Sequence, residues 1–227
     1  VGFKRNRAIF EDLLYQAQKL PGAMNGGDTQ LPTGLQLGTG VRVTATQRQF
    51  TEGSLETTNQ PLDVAINGRG FFRLLMPDGE ITYTRNGQFH LDGDGRIVNS
   101  NGFPLEPEII VPENTNSITI GRDGTVTVTE AGQNNDPQEI GQIEVVDFIN
   151  PPGLLALGNN VYAETAGSGE PLEGVGGEDG FGAVTQHTLE LSNVSAVEEL
   201  VDMITTQRAY EMNTKVVAAA DDMLRNL

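Results

Sequence analysis

The longest uninterrupted hydrophobic pattern in the chain runs from Ser192 to Leu227. Apolar side chains recur at 197, 200, 201 and 204, then at 209, 212, 216, 219, 220, 223 and 227, the spacing of one helical face. The stretch has no Gly or Pro and is rich in Ala, Leu, Met, Glu and Gln, all favourable in helices. Ser195 followed by Glu198 reads as a capping box, with Val194 in the staple position. The two stripes are not collinear, because Gln207 and Arg208 sit where the first would continue. One helix of roughly 32 residues would be about 48 Å long. No second segment of comparable length is patterned as a helix. The stripe therefore predicts a partner elsewhere, either another chain or a segment outside these residues.

A shorter helical pattern spans 6–19, NRAIFEDLLYQAQK, with Ile9, Phe10, Leu13 and Leu14 on one side and Pro21-Gly22 as its stop. Residues 22–40 are Gly-, Thr- and polar-rich and read as an extended arm. From Val41 to about Asn101 the period changes to two. Strands are predicted at 41–46, 63–67, 70–75, 80–85, 88–91 and 96–99, separated by NGRG, PDG, RNG, DGDG and SNG turns. In YTRNGQF, Asn86-Gly87 is a two-residue hairpin signal. Strands near 109–111, 117–121, 125–129 and 141–149 follow, bounded by Pro104 and Pro151-Pro152-Gly153, and read as a small insertion. The chain then returns through LLALGNNVYAET and a final strand over 184–191, with a Gly-rich acidic loop at 167–182 between them.

The predicted fold class is mainly β with a long C-terminal α-helix. A short helix and arm occupy 1–40, and a discontinuous, hairpin-built β-domain occupies 41–103 and 151–190. An inserted outer β-domain occupies 104–150, and a terminal helix for coiled-coil-like packing occupies 191–227.

Composition narrows the function. The 227 residues contain no Cys and no Trp, which excludes disulfides and thiol chemistry and removes the usual ligands of structural zinc. No run of about 18 apolar residues predicts a membrane span, and the basic N-terminus lacks the apolar stretch of a secretory signal. The net charge of −17 is unevenly placed: residues 1–50 hold six basic and three acidic side chains, and residues 101–200 hold seventeen acidic and one basic. That balance argues against nucleic acid or anionic lipid as a partner of the acidic half. The acidic half reads first as a solvated surface, and second as a flank facing Lys4, Arg5 and Arg7 of a neighbouring copy.

Enzymatic signatures are absent. Counted from Asp92, the DGDG run places Arg96 and Phe103 at loop positions 5 and 12, where an EF-hand needs an oxygen ligand and a Glu, so it reads as an Asx turn. INGRGFF does not complete GxGxxG. His90 and His187 lie in predicted strands without a carboxylate motif beside them, and no acidic pair stands out for glycosidase chemistry.

Four stretches carry a resemblance to the rod/hook family of bacterial flagellar axial proteins: GFKRNRAIFEDLLYQ (2–16), GSLETTNQPLDVAINGRGFF (53–72), YTRNGQFHLDGDGRIVNSNGFPL (83–105) and LELSNVSAVEELVDMITTQRAYEMNTKVV (189–217). They span almost the whole chain in order. Segment 11–41 looks like the arm of rod-type members; hook-type members generally lack this long form.

The resemblance implies a structural subunit without cofactor or metal. Terminal helices would pair as an inner layer lining a tube, with β-domains facing outward. The family's N-terminal helix would precede Val1 and end in an Asn-Val-x-Thr-x-Gly-Phe sequence, of which Gly2-Phe3 remains. Self-assembly would run through Val197, Leu200, Val201, Ile204, Met212, Val216, Ala220 and Met223. The stiffening arm would use Pro21, Leu31, Pro32, Leu35 and Leu37.

Implied partners are further copies in a helical polymer, axial proteins of the proximal rod and hook junction, and surrounding bushing rings, with no nucleic acid and no membrane insertion. Export would be through the flagellar type III apparatus into the periplasm, without a cleaved signal. The alternatives are a hook or proximal-rod subunit and, from another class, a peptidoglycan-binding or glycan-acting β-protein.

Overall fold

A computed structural model describes residues 1–20, 33–130 and 136–225. The chain divides into two units, Arg5–Phe50 and the remainder.

The first unit is a β-ribbon. Strands β1 (Asn6–Asp12), β2 (Tyr15–Lys19), β3 (Leu35–Gly38) and β4 (Val41–Arg48) pair antiparallel, β1 with β4 and β2 with β3. The chain thus runs out along β1 and β2 and back along β3 and β4. The Leu13 amide donates to the Gly40 carbonyl at 2.9 Å, and the Thr39 hydroxyl donates to the Leu14 carbonyl at 2.7 Å, joining the two ladders. Arg42 pairs with Glu11 directly across the ribbon. At roughly 3.3 Å per residue, residues 6–19 extend about 45 Å.

The helix expected over 6–19 is corrected to β1 and β2. An isolated helix of that length is marginal. VRVTATQR on β4 is instead rich in β-branched residues and offers β1 a ladder partner for each register position, with one bulge at Ile9/Phe10. Val41–Arg48, expected to open the main β-domain, belongs to the ribbon.

The second unit is built on a six-stranded antiparallel sheet. It contains β7 (Phe71–Leu75), β8 (Ile81–Thr84), β14 (Val145–Asp147), β15 (Leu155–Gly158), β16 (Val161–Ala163) and β17 (Leu172–Gly174), in the order β15-β16-β8-β7-β14-β17. Four pairings flank it. A three-stranded sheet joins β11 (Thr115–Ile120), β12 (Thr125–Glu130) and β13 (Gln138–Gln142). Two-stranded pairs join β9 (Phe89–Leu91) to β10 (Ile97–Asn99), β6 (Val64–Asn67) to β18 (Ala183–Gln186), and β5 (Leu55–Thr57) to β19 (Thr188–Glu190).

Both faces of the central strand β7 are buried. Phe72 and Leu74 enter one core with Val64, Ile66, Phe89, Ile97, Val126, Val128 and Val184. Phe71 turns the other way into an aromatic group with Phe148, Tyr83 and Tyr162, where the Tyr83 and Phe148 rings meet edge-to-face at 4.8 Å. Residues 104–150 do not close a core of their own. Leu105, Ile109, Ile143 and Val145 share the core of Phe72, and β14 is an inner strand of the six-stranded sheet. The insertion expected there is a part of the same packed unit.

Asn86-Gly87 is a second correction. β8 pairs with β7 and β16, whereas β9 pairs with β10, so no hairpin joins β8 to β9. Gly87 serves a close approach: a Cβ there would lie 1.5 Å from the Val64 carbonyl oxygen. The Val64 amide donates to the Gly87 carbonyl at 2.9 Å. The hairpin between β15 and β16 does turn on two residues, Asn159 and Asn160, both at positive φ. At Asp92 the chain does turn, with the Gly95 amide donating to the Asp92 carbonyl at 3.0 Å, but the Asp92 side chain accepts from the next amide, Gly93, at 2.6 Å and not from the one two residues on that an Asx turn uses.

Helix α1 (Ala196–Arg225) completes the chain and is the only α-helix among the described residues. The fold class read from the sequence, mainly β with one long C-terminal helix, is the one observed.

Candidate assembly surfaces

Helix α1 begins where its capping residues place it. The Ser195 side chain accepts from the Glu198 amide at 3.5 Å, and Glu198, Glu199 and Arg225 complement the helix dipole. Every described side chain of α1 is exposed except that of half-buried Glu199. Val197, Leu200, Val201, Ile204, Met212, Val216, Ala220 and Met223 therefore all face solvent in the single chain; Val201 is 53% exposed and Met212 61%.

Met203, Tyr210 and Val217 are equally exposed. They form a seam of their own at seven-residue spacing, away from the two stripes read from the sequence. That spacing was the signal for them. A helix apolar on more than one side has room for more than one neighbour.

The ribbon repeats this on strands. Leu35 and Leu37 on β3 are exposed, as are Phe10, Leu14, Tyr15, Val41 and Val43. Pro21, Leu31 and Pro32 lie outside the described residues.

The three basic residues near the N-terminus do not form one patch. Lys4 is 1% exposed, a correction to its expected role as a cation offered to a neighbouring copy. Its ammonium donates to Glu190 Oε1 at 2.6 Å and to the Thr51 carbonyl at 2.7 Å. Arg85 reaches the same carboxylate, with Nε donating to Glu190 Oε2 at 2.9 Å and Nη2 to Oε1 at 3.3 Å, while Nη1 donates to the carbonyls of Gly68 and Gly70. The Gly53 amide donates to Glu190 Oε1 at 3.0 Å. Burial pushes the Glu190 carboxyl up, but the charge of Arg85 and hydrogen bonds from Arg85, Lys4 and Gly53 outweigh it and hold the group below its ordinary value. Burial pushes the Lys4 ammonium down against the opposing pull of Glu190. Arg7 remains exposed on β1, and Arg5 is half-buried.

Among the described residues no group of three or more His, Cys, Asp or Glu is placed to hold a metal. A groove of about 720 Å³ runs past Asp92, Glu113 and His187, where His187 Nδ1 is turned to the Gln60 carbonyl at 3.0 Å. No helix among the described residues is long and apolar enough to cross a membrane.

A packed β-unit with apolar helical and ribbon extensions is the architecture of an assembly subunit, and comparison with known proteins says which kind. Residues 65–128 match the D1 domain model of the flagellar hook protein FlgE/F/G, and residues 185–227 match the C-terminal model of the flagellar basal body rod FlgEFG proteins. Flagellar basal-body rod protein FlgG of Buchnera aphidicola subsp. Schizaphis graminum is 50% identical over 100% of this chain and 86% of its own length. FlgG of Borreliella burgdorferi is 47% identical over 98% of this chain and 84% of its own. FlgG of Bacillus subtilis is 34% identical over 100% and 86%. The chain belongs to the FlgG family of flagellar basal-body rod proteins.

Proposed function

We propose that the chain is a structural subunit of the distal rod, the drive shaft of the flagellum, and that it acts by polymerising into a rigid hollow tube. The observation that carries this is the contrast between the two kinds of surface. The β-unit closes its own cores, whereas α1 and the ribbon present their apolar side chains to solvent over most of their length. Torque transmission needs many interlocked contacts per subunit and no catalytic group. Copies joined by non-closing contacts form an open helical array. In it α1 packs in the inner layer through Val197, Leu200, Val201, Ile204, Met212, Val216, Ala220 and Met223, and the arm around Leu35 and Leu37 bridges neighbours and stiffens the tube. The partners are further copies, axial proteins of the proximal rod and hook junction, and the surrounding rings. The location is the periplasmic rod, reached by type III export without a cleaved signal.

Electron microscopy of the full-length protein at high concentration tests the reading. Straight hollow tubes are expected, and deletion of residues 20–38 is expected to give more bendable ones. A chain that stays monomeric at every concentration overturns the assignment; unchanged bending stiffness overturns the role of the arm alone.

A further inference from the structure

Strand β15 is an edge strand of the six-stranded sheet, paired among the described residues only with β16. One row of its backbone N–H and C=O groups therefore points away from the sheet. Edges of this kind are ordinarily guarded by charge or kept very short. The opposite edge, β17, is three residues long and carries Glu173, which is paired with Arg73 at 3.0 Å. β15 carries no charged guard; its one irregularity is a bulge at Leu157 in the pairing with β16. Its four residues Leu-Ala-Leu-Gly are all exposed, with Leu155 at 55%. No charged residue occurs from Phe148 to Ala163, in a chain that is 20% charged overall.

A second unguarded edge lies in the ribbon. β3 is Leu-Gln-Leu-Gly, also four residues and also exposed throughout. Among the described residues it is paired only with β2, within a stretch from Thr29 to Val41 free of charge. The two edges match in length, in their Leu-x-Leu-Gly pattern and in lacking charge. A two-stranded ribbon is marginal alone and gains from a third strand.

We propose that β3 of one copy pairs edge-to-edge with β15 of another, extending the six-stranded sheet across the subunit boundary. The inference rests on the polymerising role above and names its contact. Charge favours this occupant over β15 of a second copy. The ribbon residues 5–50 carry five basic and three acidic side chains, net +2, which leaves −19 on the rest of the chain. β15 is bounded by Asp147 and Glu164, while β3 is followed by Arg42 and faces the strand ending in Lys19. Pairing two β15 edges would bring like charges together; pairing β3 with β15 brings opposite ones.

The native chain has no cysteine, so single substitutions report cleanly. Full-length Gln36→Cys and Ala156→Cys proteins, mixed under tube-forming conditions with a short bis-maleimide, are expected to give covalent dimers of the two different copies. Gln36→Cys mixed with Leu172→Cys, on the other edge, should give at least tenfold less. In parallel, Ala156→Lys should raise the concentration needed for tube growth at least tenfold, with the melting curve unchanged, and Gln36→Glu in the same chain should restore growth. Equal cross-linking to Leu172→Cys, or normal tube growth by Ala156→Lys, overturns the edge pairing and leaves the rod assignment standing. A product formed only within one chain, in the doubly substituted protein at high dilution, overturns it too. Failure of the unaltered protein to form tubes removes both.

Discussion

Glu190 holds together three passes of the chain that are remote in sequence. Its backbone carbonyl accepts from the Gly2 amide at 3.1 Å, and its carboxylate binds Lys4, Arg85 and the Gly53 amide. It also lies on β19, the last strand before α1. The triad carries two cations and one anion, so its members are not equivalent. Glu190→Gln strands two buried cations and should cost about 3–5 kcal/mol in urea unfolding. Lys4→Met leaves a neutral Arg85–Glu190 pair with its hydrogen bonds intact and should cost distinctly less. Equal losses would mean that Lys4 is as necessary as the carboxylate.

The pH dependence has a fixed sign. Glu190 is held below its ordinary value of 4.5, so between its folded and unfolded values the unfolded state binds the proton and the folded state does not. The stabilisation is full above about pH 4.5 and is lost as pH falls through the folded value. Unfolding curves between about pH 3 and 7 should therefore fall less steeply on the acid side for Glu190→Gln than for the native chain. Gly87 is a different kind of constraint. With Val64 O at 1.5 Å from its missing Cβ, Gly87→Ala displaces backbone and should destabilise by about 3 kcal/mol or more, read from the same urea midpoints.

At the scale of elements, α1 and the ribbon each leave large apolar side chains exposed. For α1 this separates stability from assembly. Val201→Asp and Met212→Asp alter exposed positions, so monomer unfolding should change by no more than about 0.5 kcal/mol while sedimentation shows polymer growth lost. A comparable loss in the monomer would show the stripe to be covered within the chain. For the ribbon, two strands with both faces exposed make a unit of low local stability. Amides of β1–β4 should exchange far faster than those of β7 and β8 in the monomer, and become protected on polymerisation.

What was legible in the sequence follows the same division. The helix could be read because Ser195, the absence of Gly and Pro, and a 3–4 spacing all agree locally. Strands such as Thr125–Glu130 were legible from alternation that their own core enforces, Val126 and Val128 pointing in and the threonines out. Residues 6–19 misled because Leu, Ala, Gln and Glu suit a helix, and the strand that overrules them lies some thirty positions later. Asn86-Gly87 misled because close backbone approach and a tight turn call for the same residue. The Lys4–Glu190 pair was invisible, since 186 positions of sequence separate its members.

At the scale of the whole molecule, electrostatics would oppose the proposed polymer while apolar surface would drive it. Each copy carries −17, and the ribbon's +2 offsets only a small part of the charge on its neighbours. Repulsion between whole copies acts over the Debye length, about 10 Å at 0.1 M salt and about 3 Å at 1 M. The contacts assigned to α1 and to the β3 and β15 edges bury uncharged side chains and backbone pairs, which salt does not weaken by screening. Raising sodium chloride from about 0.05 to about 0.5 M should therefore lower the concentration at which full-length protein polymerises, by several-fold. Pelleting and light scattering measure it directly. If salt raises that concentration instead, attraction between ribbon and acidic β-unit outweighs the net charge, and apolar burial along α1 is not the main force that holds neighbouring copies together.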